Sequence, residues 1–194
     1  MSPHLAISKK YWMALLKEGD TAIDATAGNG NDTLFLCQLL LKHPMSAVAA
    51  LDIQSEAIQR TDALIKSHLT PEQYKRVLLH RLSHEKIDTI AFQPKLIVYN
   101  LGYLPKGDKS ITTLTSSTLK SLESALKMLK EGGAISITCY PGHLEGEKEE
   151  RAILSSLEKL PSEKWSICYH KWLNRSPTFL WIEKLVENSS VHPG

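Results

Sequence analysis

Residues 24–33 have the sequence Asp-Ala-Thr-Ala-Gly-Asn-Gly-Asn-Asp-Thr, and they carry the strongest indication of the fold. The segment 21–24 predicts a short strand that enters it, and the pattern of residues 31–42 predicts a helix that leaves it. Gly28 and Gly30 let the backbone turn sharply and approach a ligand closely, and the start of the helix presents free N–H groups. A strand, a glycine turn and a helix in this order predict a doubly wound α/β sheet that binds a nucleotide-bearing ligand at the turn.

Apolar runs alternate with helical patterns along the rest of the chain, which predicts a mostly parallel sheet with helices on both faces. The last two predicted strands are separated by residues 173–177, a link too short for a parallel crossover, so they are predicted to form an antiparallel hairpin. The segment 83–91 is predicted to be a connector or a short helix. The seven predicted strands span residues 21–24, 46–53, 75–81, 95–99, 134–140, 164–172 and 178–186. The predicted helices span residues 8–18, 31–42, 54–68, 112–130 and 145–160.

The composition is that of a soluble globular protein, with 42% hydrophobic and 23% charged residues among 194, and we expect a single domain over residues 1–194. The apolar stretches are far shorter than the roughly 18–20 residues of a membrane span, and the first ten residues lack a secretion-signal pattern, so we expect a cytoplasmic protein without a membrane partner. The net charge of +2 neither indicates nor excludes binding to nucleic acid.

Cys37, Cys139 and Cys168 are scattered through apolar runs, so we expect reduced thiols in the core and neither a disulfide nor a metal site.

Three features indicate which ligand the glycine turn binds. The third glycine of the dinucleotide pattern is replaced by Thr33, so a pyrophosphate is disfavoured. Asp24 suits the cationic amino group of a methionine moiety, and Asp52, which ends the second strand, suits the two hydroxyls of a ribose. Together with the terminal hairpin, these features favour a methyltransferase that uses S-adenosylmethionine over a nicotinamide dehydrogenase. The alternative is a structural turn in which Asp24 is a cap.

Other residues are expected near the same ligand. Ser83 and His84 follow the third strand and are predicted to line the adenine site, the alternative being an ordinary connector. The full set predicted to bind S-adenosylmethionine is Asp24, Thr26, Gly28, Asn29, Gly30, Asn31, Asp32, Thr33, Asp52, Gln54, Ser83, His84 and Asn100.

A second motif, Asn-Leu-Gly-Tyr at residues 100–103, follows the fourth strand at the carboxyl edge of the sheet, beside the ligand crevice. It resembles the Asn-Pro-Pro-aromatic motif of amino-group methyltransferases, with Leu-Gly in place of Pro-Pro. That resemblance implies that Asn100 accepts a hydrogen bond from the target amine and that Tyr103 stacks on a planar base. The alternative is a plain turn in which Tyr103 packs in the core.

Methyl transfer by in-line displacement needs a free lone pair on the attacking nitrogen, and positioning carries most of the catalysis. An alkyl amine must first lose a proton. Asp108 and His143 are the candidate proton acceptors, and the alternative for each is an exposed loop residue. The predicted catalytic set is Asn100, Tyr103, Asp108 and His143. Candidates for contacts with RNA phosphates and bases, each alternatively solvated or packed in the core, are Lys106, Lys109, Tyr140, Trp172, Asn174 and Arg175.

Four motifs together resemble one bacterial family, the putative rRNA methylases: residues 24–33, 100–109, 140–143 (Tyr-Pro-Gly-His) and 174–177 (Asn-Arg-Ser-Pro). This family includes the tRNA enzyme that methylates 5-aminomethyl-2-thiouridine at the wobble position to the 5-methylaminomethyl form. The resemblance covers nearly the whole chain and implies a Rossmann-like, class I methyltransferase domain that also forms the RNA-binding surface. It implies S-adenosylmethionine bound by the first motif and residues 52–54, the tRNA anticodon stem-loop as the target, and a homodimer.

Other functions stay open at this point. The older family label keeps rRNA as a target, and the compact chain with its low net charge is compatible with a methyltransferase for small-molecule or protein amines. The missing Pro-Pro leaves a non-catalytic module that binds S-adenosylmethionine or RNA as a further alternative.

Overall fold

The short apolar runs of the chain form the strands of one sheet. The computed structural model describes residues 2–102, 113–142, 144–174 and 177–187. The strands within them are β1 (Thr21–Asp24), β2 (Ala47–Asp52), β3 (Val77–Arg81), β4 (Leu96–Asn100), β5 (Ala134–Cys139), β6 (Trp165–His170) and β7 (Thr178–Lys184). The α-helices are α1 (Pro3–Leu15), α2 (Asn31–Leu40), α3 (Ser55–Lys66), α4 (Pro71–Tyr74), α5 (Thr115–Met128) and α6 (Leu144–Leu157), and a 3-10 helix spans His84–Thr89.

The order of the strands across the sheet is β3-β2-β1-β4-β5-β7-β6. The first five strands pair in parallel, β7 pairs antiparallel with β5, and β6 pairs antiparallel with β7. The predicted seven-stranded sheet with an antiparallel C-terminal hairpin is therefore confirmed. The order reverses at β1, which lies between β2 and β4, so a crevice is expected outside the carboxyl ends of β1 and β4.

Two hydrophobic clusters cover the two faces of the sheet. On one face, helices α1 and α2 pack against the sheet through side chains that include Trp12 and Leu36. On the other face, the 3-10 helix, α5 and α6 do so through side chains that include Ile87, Leu122 and Ile153. Because the central strands are covered on both faces, they have continuous apolar runs rather than an alternating pattern. Helix α1 is fixed to the sheet by Trp12, whose indole Nε1 donates a hydrogen bond of 2.9 Å to Ser136 Oγ on β5.

The structure adds the short helix α4, which was not predicted, moves the start of the third strand from residue 75 to Val77, and differs from the predictions in two further details that have a clear physical cause. Helix α1 begins at Pro3 rather than at residue 8, because Pro3 follows Ser2 and occupies the first helical position, where its missing N–H costs nothing. Cys168 is exposed rather than buried, because β6 is an edge strand whose residues 166–169 all face solvent, whereas the other two cysteines are buried. None of the described helices is both long and apolar enough to cross a membrane.

Candidate active site

The glycine turn connects β1 to α2 at the reversal point of the sheet. Gly28 (φ 56°) and Gly30 (φ 79°) have left-handed backbone conformations, which residues with side chains adopt at a cost. Gly30 is also packed against α3: a Cβ atom there would lie 2.8 Å from Cα of Thr61. The amide of Ala27 donates to the carbonyl of Leu51 at 2.9 Å, so the turn is tied to β2. Conformation and packing therefore both require glycine at position 30.

Asp24 lies beneath this turn and is fully buried. Its Oδ2 accepts a hydrogen bond from the Thr33 hydroxyl at 2.7 Å, and its Oδ1 accepts one from the Thr26 amide at 3.1 Å. Burial, and then the charge of Asp32, raise the pKa of Asp24 to about 7. A cationic group near the turn would favour the ionised carboxylate. Asp24 therefore holds both ends of the turn, and its predicted contact with an amino group stays a prediction.

Asp52, at the end of β2, joins the turn to α3. Its Oδ2 accepts a hydrogen bond from the Gly28 amide at 3.0 Å, and its Oδ1 accepts one from the Gln54 amide, at the N-terminus of α3, at 2.9 Å. Each carboxylate oxygen has a second lone pair, so the group can also accept bonds from two ribose hydroxyls. Asn29 accepts a bond of 3.0 Å from Arg60, and Asn31 is the first residue of α2.

Ser83 and His84 lie beyond the end of β3, which pairs with β2 so that Arg81 is opposite Asp52. Ser83 caps the 3-10 helix by accepting a bond from the Glu85 amide. The ring of His84 is buried, and burial lowers its pKa. Its Nδ1 atom is buried and has no hydrogen-bond partner among the described residues. A buried polar atom without a partner is costly, and a ligand with a ring nitrogen or an amino group would satisfy it.

Asn100 ends β4 and lies next to the glycine turn. Its amide N–H donates to the Thr26 hydroxyl at 2.7 Å, and its side-chain Nδ2 donates to Oδ2 of Asp32 at 3.0 Å. Oδ1 of Asp32 lies 3.7 Å from the ammonium nitrogen of Lys9 on α1. Because Nδ2 is committed to Asp32, the amide presents its oxygen, an acceptor, on the other side.

The first turns of α1 contribute residues that the sequence-based predictions missed. Lys9 reaches Asp32, and the ring of His4 lies edge-on against Tyr140, with ring centroids 6.0 Å apart and an angle of 84° between the planes. Burial lowers the pKa of His4, and the charge of Asp32 opposes this effect. The signal that would have found them is the Ser-Pro start of the helix at residues 2–3.

The predicted RNA-contacting residues are only partly described. Tyr140, 37% exposed, follows β5 beside His4, Trp172 is half-buried against the α1 side of the core, and Asn174 is exposed. Tyr103, Lys106, Asp108, Lys109, His143 and Arg175 lie outside the described residues. The structure brings together Asp24, Thr26, Gly28, Thr33, Asp52, Gln54 and Asn100 through the hydrogen bonds described above, and the binding of a cofactor by these residues stays a prediction. No group of three or more His, Cys, Asp or Glu residues that could hold a metal occurs within the described ranges.

Comparisons with known proteins identify the family of the chain. The family model described as "Putative rRNA methylase" matches residues 48–183. The chain belongs to this family. The chain is also similar to a chloroplastic tRNA (mnm(5)s(2)U34)-methyltransferase of Arabidopsis thaliana, with 38% identity over 186 residues, a match that covers 92% of this chain and 68% of that protein.

Solved structures of similar proteins share the methylase fold. A putative rRNA-methylase from Clostridium thermocellum is 33% identical, with a TM-score of 0.87, and the match covers 95% of this chain and 99% of that one. A putative methyltransferase from Streptococcus mutans, in complex with SAH, is 30% identical with a TM-score of 0.83 over 95% and 99% of the two chains. The fold of this methylase is that of the class I methyltransferases that use S-adenosylmethionine.

Proposed function

We propose that this methylase transfers a methyl group from S-adenosylmethionine to the aminomethyl nitrogen of 5-aminomethyl-2-thiouridine at the wobble position of tRNA. The observation that carries the proposal is the orientation of Asn100, whose amide is fixed by Asp32 and presents its oxygen beside the glycine turn. The similarity to the Arabidopsis thaliana tRNA methyltransferase supports the choice of substrate.

The residues of the site fit the cofactor. Bound S-adenosylmethionine supplies an electrophilic methyl group. The glycine turn and Asp52 would hold the ribose, and the unpartnered Nδ1 of His84 suits a hydrogen-bonding heterocycle such as adenine. Asp24, buried below the turn, provides negative charge for the amino group of the methionine moiety. These are proposals for each residue, supported by their positions at the ends of neighbouring parallel strands.

The target amine requires an acceptor and a free lone pair. The amide oxygen of Asn100 accepts one N–H of the amine and so directs the nitrogen lone pair towards the methyl group. An alkylammonium must lose its proton before it can attack. Asp108 and His143 remain our candidates for the acceptor of that proton.

We also propose that the domain binds the anticodon stem-loop without a separate RNA module, as a homodimer and in the cytoplasm. The partly exposed Tyr140 beside Gly102, and the exposed residues Lys171 and Asn174 after β6, support a surface for bases and phosphates. The family description, which names rRNA, favours ribosomal RNA as the second candidate substrate.

Nucleoside mass spectrometry tests the reaction and the substrate together. The purified protein is incubated with S-adenosylmethionine and tRNA that carries unmethylated 5-aminomethyl-2-thiouridine, with ribosomal RNA in a parallel reaction. We expect a gain of one methyl group on that nucleoside, and no gain with Asn100→Ala, which keeps the glycine turn. Methylation of ribosomal RNA alone, or wild-type activity of Asn100→Ala, would contradict the proposal.

A further inference from the structure

A buried carboxylate on α6 is connected through Thr113 to Gly102, two residues after Asn100. Glu149 is 4% exposed. Its Oε1 accepts a hydrogen bond of 2.6 Å from the hydroxyl of Thr118 on α5, and its Oε2 accepts one of 2.9 Å from the hydroxyl of Thr113. A buried carboxylate is costly unless it is hydrogen-bonded, so these bonds give Glu149 a defined place between the two helices.

Thr113 connects Glu149 to the segment that follows Asn100. Its hydroxyl accepts a hydrogen bond of 2.9 Å from the Gly102 amide, and its own amide donates to the Gly102 carbonyl at 3.0 Å. Gly102 has φ 138°, a conformation that favours glycine. The intervening Leu101 donates its amide to the Thr138 carbonyl on β5 at 2.9 Å. The backbone of residues 100–102 is therefore held on one side by β5 and on the other by Thr113.

The direction of these hydrogen bonds requires an acceptor at position 149. The Thr113 hydroxyl accepts from Gly102 and must donate its own proton elsewhere, which the Glu149 carboxylate allows. Thr118 also donates to this carboxylate. A glutamine has one acceptor oxygen and one donor NH₂ group, so it can serve one of these hydroxyls as an acceptor but not both.

We propose that Glu149 is a positioning residue for methyl transfer, which acts through Thr113 to fix the Asn100–Gly102 backbone. The inference rests on the proposed function, because the amide oxygen of Asn100 is the group that is positioned. Glu149 lies on α6, at a distance in sequence from every residue assigned to the cofactor. Asn100 belongs to the predicted cofactor set, but the hydrogen bonds of Glu149 and Thr113 reach the backbone after Asn100 and neither the glycine turn nor Asp52. Its loss should therefore reduce turnover far more than the affinity for S-adenosylmethionine.

The neighbouring residue provides a matched control. Glu150 is 8% exposed and also accepts hydrogen bonds from hydroxyl groups, those of Thr178 and Tyr169. These partners belong to β7 and β6 rather than to the segment after Asn100. Both hydroxyls bond to the same oxygen of Glu150, Oε1, which a glutamine keeps. Glu149→Gln and Glu150→Gln thus remove the same negative charge at similarly buried positions, but only Glu149→Gln also removes an acceptor, and only Glu149 is connected to the segment after Asn100.

The experiment compares kcat, KM and cofactor affinity for the full chain and its variants. With tRNA that carries 5-aminomethyl-2-thiouridine, we expect Glu149→Gln to lower kcat by about 10- to 100-fold, the range for a misplaced catalytic group. The dissociation constant for S-adenosylmethionine should stay within about twofold, a change of under roughly 0.5 kcal/mol. Thr113→Val should reproduce the loss, and Thr113→Ser, which keeps the hydroxyl, should retain kcat. Wild-type kcat in Glu149→Gln, or an equal loss in Glu150→Gln, would overturn the inference.

Amide hydrogen exchange tests the contact between Glu149, Thr113 and Gly102 independently of the proposed function. If wild-type protein binds S-adenosylmethionine but methylates no wobble nucleoside, the proposed function is wrong, and exchange of the peptide that contains residues 100–102 still tests the contact. We expect faster exchange there in Glu149→Gln and Thr113→Val than in Glu150→Gln and Thr113→Ser. Equal exchange in all four variants overturns the inference whatever the substrate is.

Discussion

Replacement of Gly30 by alanine tests whether the glycine turn is required by the backbone, by packing, or by neither. The φ of 79° places position 30 in the left-handed region, where an L-residue costs roughly 1–2 kcal/mol. The new Cβ would also lie 2.8 Å from Cα and 2.9 Å from Oγ1 of Thr61, so α3 must move. Overpacking of this kind typically costs about 1–3 kcal/mol.

The two effects together predict that Gly30→Ala lowers the free energy of unfolding by about 2–5 kcal/mol. For a domain of this size, each kcal/mol shifts Tm by roughly 2–4 °C, so calorimetry should show a decrease of roughly 4–20 °C. Because α3 moves away from the turn that carries the predicted cofactor contacts, we also expect weaker binding of S-adenosylmethionine.

Gly142→Ala is the matched control for this measurement. A Cβ atom at position 142 meets nothing within 4 Å, and its φ is not in the left-handed region. Such a change should alter stability by no more than about 0.5 kcal/mol. If Gly30→Ala unfolded at the same temperature as Gly142→Ala, neither the left-handed φ nor the packing against Thr61 would require glycine at position 30.

Three further predictions follow from the site and the fold. The pKa of Asp24 is about 7 in the folded protein against 3.8 for the free side chain, so the folded state keeps a proton that the unfolded chain releases. Wild-type stability should therefore fall relative to Asp24→Asn as the pH rises from about 4 to 7, by up to about 4 kcal/mol; denaturant midpoints at several pH values measure this, and parallel curves contradict it. Asp52→Ala removes the acceptor for the Gly28 and Gln54 amides and should weaken binding of S-adenosylmethionine at least about tenfold by titration calorimetry, since a hydrogen bond to a charged group is worth about 1.5–3 kcal/mol. An unchanged affinity would remove Asp52 from the cofactor site. Cys168 is exposed and the other two cysteines are buried, so a thiol reagent should modify Cys168 quickly in the native protein and all three thiols after unfolding; rapid loss of all three without denaturant would show that the core opens.

The arrangement of the sheet could be predicted from local signals. The glycine turn at residues 24–33 identified the first strand, whose predicted bounds match β1 (Thr21–Asp24). The short link at 173–177 required an antiparallel hairpin, and β6 and β7 form one. Both signals depend on backbone geometry over a few residues, so neither needs knowledge of the tertiary structure. The proximity of Asp24, Asp52 and Asn100 could also be predicted, because residues at the carboxyl ends of neighbouring parallel strands lie at one edge of the sheet.

The parts of the site that could not be predicted depend on contacts between distant segments. Lys9 reaches Asp32 because α1 packs across β5 and β7, and the sequence did not indicate which face or edge this helix covers. Glu149 is a charged residue in a charged helix, and its pattern predicts an exposed side chain. Its burial depends on the packing of α6 against the start of α5. Likewise, Cys168 stands in an apolar run, and its exposure follows from the position of β6 at the edge of the sheet.

Asp32 lies between the predicted cofactor and substrate sides of the site, in contact with both Lys9 and Asn100. It is the second residue of α2, where the positive end of the helix dipole favours a carboxylate. One oxygen faces the ammonium of Lys9 and the other accepts from Asn100, while its charge contributes to the raised pKa of Asp24. The same carboxylate therefore orients the amide oxygen that would receive the substrate amine and disfavours a second negative charge beneath the glycine turn. A cationic methionine moiety at that turn would relieve the repulsion between the two carboxylates, so we expect Asp32 to couple cofactor binding to the orientation of Asn100.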